Sequence, residues 1–438
     1  MKKYNEYKDS GVAWIGEVPK HWEVSRVKFL ISHSSAGVWG EDEKNDENDI
    51  VCFRAADFDY IHGCLRLDKM TIRNIQPEQL RGRTLQHGDL LIEKSGGSDN
   101  APVGRIVRYN YSDKATCSNF MHFIRVNKFN DGNYLFYYFY AMYANNVNIL
   151  FFNQTTGIQN LKIGEYIGQM IYTPILNEQT AIAAYLDTHC AKIDNLISIQ
   201  QKRIALLQEL KQSVITHAVT KGLNPNVEMK QSGVEWIGDV PKHWEVMPLK
   251  FTGTFGNGLT YSPKDVVDNG ILVLRSSNIQ NSSLSFEDNV YVSKVSRDLL
   301  VKKGDIIICS RNGSAALVGK SAFVDKELNA TFGAFMMRYI PNIEKKYGFY
   351  LFQTAIGQYK GYFSTTTINQ LTKTTIDDIK IPLAMAEEQA AIASYLDHKC
   401  ATIDTSISNA QHQIDLLQEY KQSLITEVVT GKRKVTDN

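Results

Sequence analysis

The feature that most constrains this chain is that it contains itself twice. The segment starting at Lys8, KDSGVAWIGEVPKHWEV, returns from Lys230 as KQSGVEWIGDVPKHWEV, 222 positions later. A second segment, EQTAIAAYLDTHCAKIDNLISIQQKRIALLQELKQSVITHAVT from Glu178, returns from Glu388 as EQAAIASYLDHKCATIDTSISNAQHQIDLLQEYKQSLITEVVT, 210 positions later. Self-similarity of this kind means two copies of one structural plan joined in tandem. Between the repeated pieces lie residues 25–176 and 247–386, which share almost no residue-by-residue identity. They do share a plan. LQHGDLLIEKSGGSDNAPVGRIVRY in the first and VKKGDIIICSRNGSAALVGKSAFV in the second both read as Gly-Asp, an apolar strand, and a small polar loop with one cation. Val-Gly-Arg or Val-Gly-Lys then opens another strand. The order is a repeated segment (1–24), a variable domain (25–176), a repeated region with a long helix (177–246), a second variable domain (247–386) and a last repeated region with a long helix (387–438).

The long repeat has a coiled-coil period. Leu186, Cys190, Ile193, Ile197, Ile204, Leu207, Val214 and Ala218 alternate steps of four and three once Gln200 and Lys211 fill the remaining slots. The second copy repeats the register with Leu396, Cys400, Ile403, Ile407, Ala410, Ile414, Leu417, Lys421, Leu424 and Val428. Each helix runs into a breaker, Lys221-Gly222 and Gly431-Lys432, with a cation beside its C-terminal dipole. If a pseudo-twofold axis relates the halves and crosses the seam, the helices pack antiparallel and the variable domains sit at opposite ends. The expected fold is α+β: two mixed α/β domains separated by two long antiparallel coiled-coil helices, in a tandem pseudo-twofold duplication. The helices then act as a spacer of roughly 50 Å, at about 1.5 Å per residue.

Composition excludes more than it selects. The chain is 43% apolar and 22% charged, a soluble globular balance, and no stretch approaches the roughly 20 apolar residues a membrane helix needs. Two lysines near the N-terminus precede no apolar run, so a cytoplasmic protein without a secretory signal is expected. Cys52, Cys64, Cys117, Cys190, Cys309 and Cys400 have no metal-ligand or disulfide spacing and read as reduced and structural. The formal net charge of +1 gives no global electrostatic case for nucleic acid, so any DNA contact must rest on local patches or on partners.

Catalytic motifs fail on spacing. Gly319-Lys320-Ser321 resembles a phosphate loop, but the glycine it requires upstream falls at Ser314. Phe255-Gly256-Asn257-Gly258 lacks the third glycine of a dinucleotide fingerprint and reads as the turn opening the second variable domain. Asn224-Pro225-Asn226 lacks the second proline and the aromatic of an adenine-methyltransferase motif. The acidic run from Glu41 to Glu47 reads as a solvated loop. His21 and His243 are repeated beside Trp22 and Trp244, with Trp14 and Trp236 nearby, which favours a scaffold role. The run Phe136, Tyr137, Tyr138, Phe139, Tyr140 continues at helical spacing and reads as a buried helix rather than a stacking platform.

With this arrangement, the sequence resembles the specificity subunits of type I restriction-modification systems, most specifically in the paired SGVEWIGDVPKHWEV-type segments and the paired EQxAIAxYLDxxCAxID helices. The resemblance implies that the variable domains are target recognition domains, each reading one half of a split asymmetric site in double-stranded DNA. It further implies that the helices are a molecular ruler, and that the chain itself is non-catalytic. The repeated regions would dock two adenine methyltransferase subunits, and a restriction and translocase subunit would complete the assembly. S-adenosylmethionine, ATP and Mg are expected on those partners, with no cofactor or metal on this chain. The alternatives are a coiled-coil adaptor without direct DNA reading, motivated by the near-neutral charge, and a fused system with its own methyl transfer.

Base edges are read by hydrogen bonds, Arg to guanine and Asn or Gln to adenine, so polar loops at strand ends are the candidates. In the first domain these are Arg54, Asp57, Lys94, Ser95, Ser98 and Asn100, with a second cluster at Gln154, Thr155, Thr156, Gln159 and Asn160. Gly96-Gly97 would let the backbone approach a phosphate. In the second domain they are Arg275, Ser276, Ser277 and Asn278, then Arg311, Asn312 and Ser314, then Thr365, Thr366, Thr367, Asn369 and Gln370. Arg275 and Arg311 lead the set.

Overall fold

The computed structural model describes residues 2–155, 157–359 and 369–435. Four helices carry the architecture: α1 (Gly132–Ala144), α2 (Leu176–Lys221), α3 (Lys345–Tyr359) and α4 (Ala386–Val429). The chain divides into two compact units, Met1–Lys202 with Ala410–Asn438, and Arg203–Asn409. The five segments legible in the sequence are thus gathered into two bodies. Each holds one copy of the short motif, one variable domain and a portion of each long helix. No helix among the described residues is long and apolar enough to cross a membrane.

The two variable domains share one sheet topology. In the first unit an antiparallel sheet runs Ile106–Arg108, Leu90–Glu93, Met121–Val126, Ile31–Ala36; in the second it runs Ser321–Phe323, Ile306–Cys309, Met336–Pro341, Gly253–Asn257. The strands after the Gly-Asp pairs, LLIE and IIIC, are buried along their whole length, which is why they read as unbroken apolar runs rather than alternating ones. A second sheet repeats as well, with one parallel pair in each unit: Ala115–Cys117 beside Asp49–Phe53, and Ala330–Phe332 beside Ile271–Leu274. Antiparallel ladders, Glu23–Arg26 with Met170–Thr173 and Glu245–Pro248 with Lys380–Leu383, join the beginning of each variable domain to its end. Gly253–Asn257 is therefore a sheet strand, not the turn expected from its glycines. Gly258 follows it because a Cβ there would lie 2.1 Å from the Gly333 carbonyl oxygen.

The aromatic run forms the buried helix α1, with Asp131 capping it by accepting hydrogen bonds from the Asn133 and Tyr134 amides at 2.9 and 3.0 Å. Ser321 starts a strand rather than a helix, and Lys320 donates its ammonium to the Ser276 carbonyl, so Gly319-Lys320-Ser321 has no phosphate-loop geometry.

The short motif is a clamp for helix ends. In the first unit Glu178, in the first turn of α2, accepts hydrogen bonds from Tyr4 Oη at 2.6 Å and Trp22 Nε1 at 3.3 Å and pairs with His21 Nε2 at 3.0 Å. The C-terminal end of α4 meets the same motif: Gly431 sits at φ +74°, against Pro19 and Trp22. The second unit repeats this with exchanged helices. Glu388, in the first turn of α4, is bonded by Trp244 Nε1 at 2.8 Å and His243 Nε2 at 2.9 Å, while Gly222 at the end of α2 packs on Trp244 at φ +77°. Trp22 and Trp244 are fully buried. Away from the clamp, Asp194 of α2 meets Lys421 of α4 in the first unit, and Lys211 of α2 meets Asp404 of α4 in the second. A helix start beside a helix end at each motif, with these cross-pairs further along, makes the packing antiparallel within each unit. The heptad positions Leu186, Cys190, Ile193 and Ile197 are buried in the first unit, as are Leu396, Cys400 and Ile403 in the second.

Candidate nucleic-acid interface

In the first unit the chain leaves the central sheet strand at Lys94 and enters a small ladder in which Ser95 pairs with Asn160 and Gly96 with Gln159. The Ser95 hydroxyl donates to Asn160 Oδ1 at 2.7 Å. Residues Phe152–Thr155 extend this ladder, with an exposed Gln154 directly opposite Gln159 in the register. Arg54, Glu93, Ser95, Phe120 and Ile158 line one cavity of about 600 Å³. Its floor is held by Glu93, which is buried and receives Arg105 through two bonds of 2.8 and 3.1 Å; the Arg105 guanidinium lies 3.9 Å from the Tyr60 ring centroid. Ser98 and Asn100 lie exposed on the loop beyond.

The second unit builds the same site from other residues. Arg311 pairs in register with Gln370 and donates Nη2 to Gln370 Oε1 at 2.6 Å, while its guanidinium lies 5.7 Å from the Phe335 ring centroid. Arg311, Phe335, Gln370, Thr260 and Lys373 line a cavity of about 330 Å³. Asn312 donates to the Ser276 hydroxyl at 3.4 Å and accepts the Ser314 amide at 2.9 Å, which brings the first and second predicted clusters of this domain together. Asn369 shares this ladder through its backbone, opposite Asn312.

Arg54 and Arg275 are counterparts. Each precedes a short 3-10 turn whose third residue, Asp57 or Asn278, accepts the arginine's own backbone amide, at 2.7 and 2.9 Å. Their guanidinium tips are tethered unequally: Arg54 Nη2 lies 3.3 Å from Asp57, whereas Arg275 Nη2 lies 2.7 Å from the Asp288 carboxylate and donates to the Asp288 carbonyl at 2.9 Å. In both, Nε is buried and has no hydrogen-bond partner among the described residues. Hydrogen bonds from Arg275 and Ser277 hold the Asp288 carboxyl below its ordinary range.

Three sequence expectations are corrected by direction. Asp57, Gln159 and Asn278 are buried and serve the scaffold: Asp57 caps its turn, Gln159 Oε1 accepts the Val103 amide at 3.1 Å, and Asn278 donates to the Ser285 and Asp288 carbonyls at 3.0 Å each. Gly97 is needed for the same packing, since a Cβ there would lie 2.7 Å from Gln159 Oε1. Lys94 is half-buried beside His122 rather than projecting from the ladder. Thr156, Thr365, Thr366 and Thr367 lie outside the described residues, as do the side chains of Thr155 and Asn369. The sequence reading missed Glu93, Phe120 and Phe335. The available signal was the Phe-Met dipeptide that opens the same strand in both domains, Phe120-Met121 and Phe335-Met336. Among the described residues no group of three or more His, Cys, Asp or Glu side chains could hold a metal ion.

The family model described as the type I restriction modification DNA specificity domain matches residues 19–209 and 241–414. The specificity subunit of the type I restriction enzyme EcoKI from Escherichia coli K12 is 28% identical over 205 residues, a match spanning 44% of this chain and 44% of that one. The MjaVIII specificity subunit of Methanocaldococcus jannaschii is 27% identical, over 68% of this chain and 70% of the relative. Among solved structures, a chain from the complex assembly and conformational transition of the type I R-M system is similar at a TM-score of 0.70 and 17% identity, covering 94% of this chain and 98% of that one, a likeness of fold. Each family match takes in one variable domain with the end of its short motif and the first part of its long helix, and the two span most of the sequence, so the chain belongs to the type I restriction-modification DNA specificity family.

Proposed function

We propose that this chain is the non-catalytic, sequence-reading subunit of a type I restriction-modification complex, each variable domain reading one half of a bipartite site in double-stranded DNA. The observation that carries the reading is the matched pair of sites. One scaffold presents Arg54 and Asn160, the latter held by the buried Ser95 hydroxyl, in the first unit and Arg275, Arg311, Asn312 and Gln370 in the second. Constant geometry with changed hydrogen-bonding groups is what two different base sequences would require. Arg311 held against Gln370 and stacked near Phe335 suits a bidentate contact to guanine.

The long helices serve as spacer and dock. Helix α2 continues from the first unit into the second, and the length of its seam, at about 1.5 Å per residue, would set the gap between half-sites. Leu196, Ile199, Leu206 and Leu210 lie exposed along α2 at a heptad spacing that its own seam does not use, and Leu416 and Tyr420 do so on α4. This second stripe suits helices of two adenine methyltransferase subunits, the restriction and translocase subunit joining them. Those partners would supply S-adenosylmethionine, ATP and Mg, in the cytoplasm. A net charge of +1 fits a reader that borrows phosphate neutralisation from its partners.

The test is a domain exchange. Residues 25–176 are replaced by the corresponding domain of another family member, and the methylated motif is read by modified-base sequencing of host DNA. One half of the motif should change while the other stays. A change in both halves, or in neither, overturns the reading.

A further inference from the structure

Resting on the reading above, we infer that Phe120 and Phe335 are a matched pair of apolar base readers, each seated in the major groove against the 5-methyl group of a thymine in the half-site its domain reads.

The two phenylalanines occupy one structural position in domains that otherwise share almost no identity. Each is the third residue of a hydrogen-bonded turn, closed by Met121 N to Ser118 O at 2.9 Å in the first unit and Met336 N to Gly333 O at 2.8 Å in the second. Each carbonyl then receives two amides from the strand that leads into the reading ladder. Lys94 and Ser95 donate to the Phe120 carbonyl at 2.9 and 3.0 Å; Ser310 and Arg311 donate to the Phe335 carbonyl at 2.9 and 3.1 Å. The backbone under each ring is therefore locked to the segment that enters the reading ladder.

Neither ring belongs to the hydrophobic core of its domain. Phe120 is 52% exposed and Phe335 60% exposed, whereas the methionines that follow them are buried in the core. Each ring instead lines its domain's cavity, beside Arg54, Glu93 and Ser95 in one and beside Arg311 and Gln370 in the other. The apolar lining about each ring, Trp39 and Ile158 with Phe120 and Met337 and Leu371 with Phe335, is interrupted by polar groups and is too small for a protein-docking patch. It matches a small apolar target flanked by hydrogen-bonding groups. In the major groove the one apolar feature of a base edge is the thymine 5-methyl, which phenylalanine contacts directly. The guanidinium 5.7 Å from the Phe335 ring centroid would then fall on a neighbouring guanine.

The experiment removes only the methyl group. The complete complex with methyltransferase subunits is titrated with duplexes carrying the genomic motif, in which each thymine in turn is replaced by deoxyuridine. Wild type should lose about fourfold in affinity at one position of each half-site, the worth of one buried methyl-sized group. Phe120→Ala should be indifferent to that change in the first half-site and keep it in the second; Phe335→Ala should show the converse, and Phe120→Leu should retain the methyl dependence. Variants that stay specific but weaken equally on thymine and uracil duplexes, as a stacking wedge or a packing residue would, overturn the inference. So does a wild-type half-site with no methyl-sensitive position. Wild-type binding with no sequence preference would overturn the specificity reading itself, a distinguishable result.

Discussion

Asp194 with Lys421 and Asp404 with Lys211 are the same ion pair drawn twice, since each residue has its counterpart 210 positions away in the repeat. Their geometries at the carboxylate agree: Lys421 Nζ lies 2.6 and 2.8 Å from the Asp194 oxygens, and Lys211 Nζ lies 2.7 Å from both oxygens of Asp404. Their surroundings do not. In the first unit both side chains are 10% exposed and Lys421 also donates to the Ile61 carbonyl at 2.8 Å; in the second, Lys211 is 26% and Asp404 53% exposed. The repeated scaffold supplies the pair, and the variable domain decides whether it is buried. An element that belongs to the constant part is thereby tied to the recognition domain in one half and left to solvent in the other.

The largest expected effect breaks that contrast. Lys421→Ala strands a buried carboxylate and should cost its unit about 3–5 kcal/mol, while Lys211→Ala should cost about 0–1 kcal/mol. Hydrogen exchange read separately over the two units distinguishes them. Equal costs would mean that the Ile61 contact and the burial are energetically idle. The double change Asp194→Leu with Lys421→Met sharpens the point, because replacing both partners of a buried pair by apolar groups should recover most of the loss.

A second asymmetry lies at the helix ends. Alanine at Gly431 would place its Cβ 2.2 Å from Pro19 Cδ at a φ of +74°; at Gly222 the nearest atom is Trp244 Cζ2 at 3.2 Å, with φ +77°. Both pay the left-handed backbone penalty of about 1–2 kcal/mol, but only Gly431 adds overpacking of about 1–3 kcal/mol. Gly431→Ala should therefore lower the denaturation midpoint of the first unit more than Gly222→Ala lowers that of the second. The reverse order would mean that the clamp on α4 yields more readily than the one on α2.

Much of this architecture was legible because repetition is independent of packing. Trp22, Trp244, Glu178 and Glu388 could be matched by eye, and the heptad positions foretold a seam. What joined them could not. Lys211 and Lys421 look like filler at seam positions until antiparallel packing brings Asp404 and Asp194 opposite them. The shared sheet order was invisible since strands such as LLIE and IIIC report burial, not neighbours. At the reading surface, residue type was visible but direction was not. Asp57, Gln159 and Asn278 have the chemistry of base readers and point inward, whereas Phe120 and Phe335 have the chemistry of core residues and point out.

The smallest expected effect is a pH dependence to which one buried group in each half contributes with opposite sign. His122 occupies the sheet position that Met337 fills in the second unit, as the register of Ile92 and Ile308 shows. Burial, with the nearby Lys94 and His33 adding to it, pushes the His122 pKa down to about 4. The unfolded chain protonates this ring near its ordinary value of about 6.5, so the folded unit is penalised as pH falls from there towards 4, by about 3 kcal/mol at most when the window is fully crossed. In the second unit burial raises the Asp305 carboxyl above its ordinary value. There the folded state takes up its proton first, and this group adds stability as pH falls through the window between the two values. Exchange protection measured from pH 7 to 4.5 should thus decline in the first unit ahead of the second, and His122→Met should remove the difference. A first unit whose acid sensitivity survives that substitution would place the titrating group elsewhere and leave the His122 environment without thermodynamic consequence.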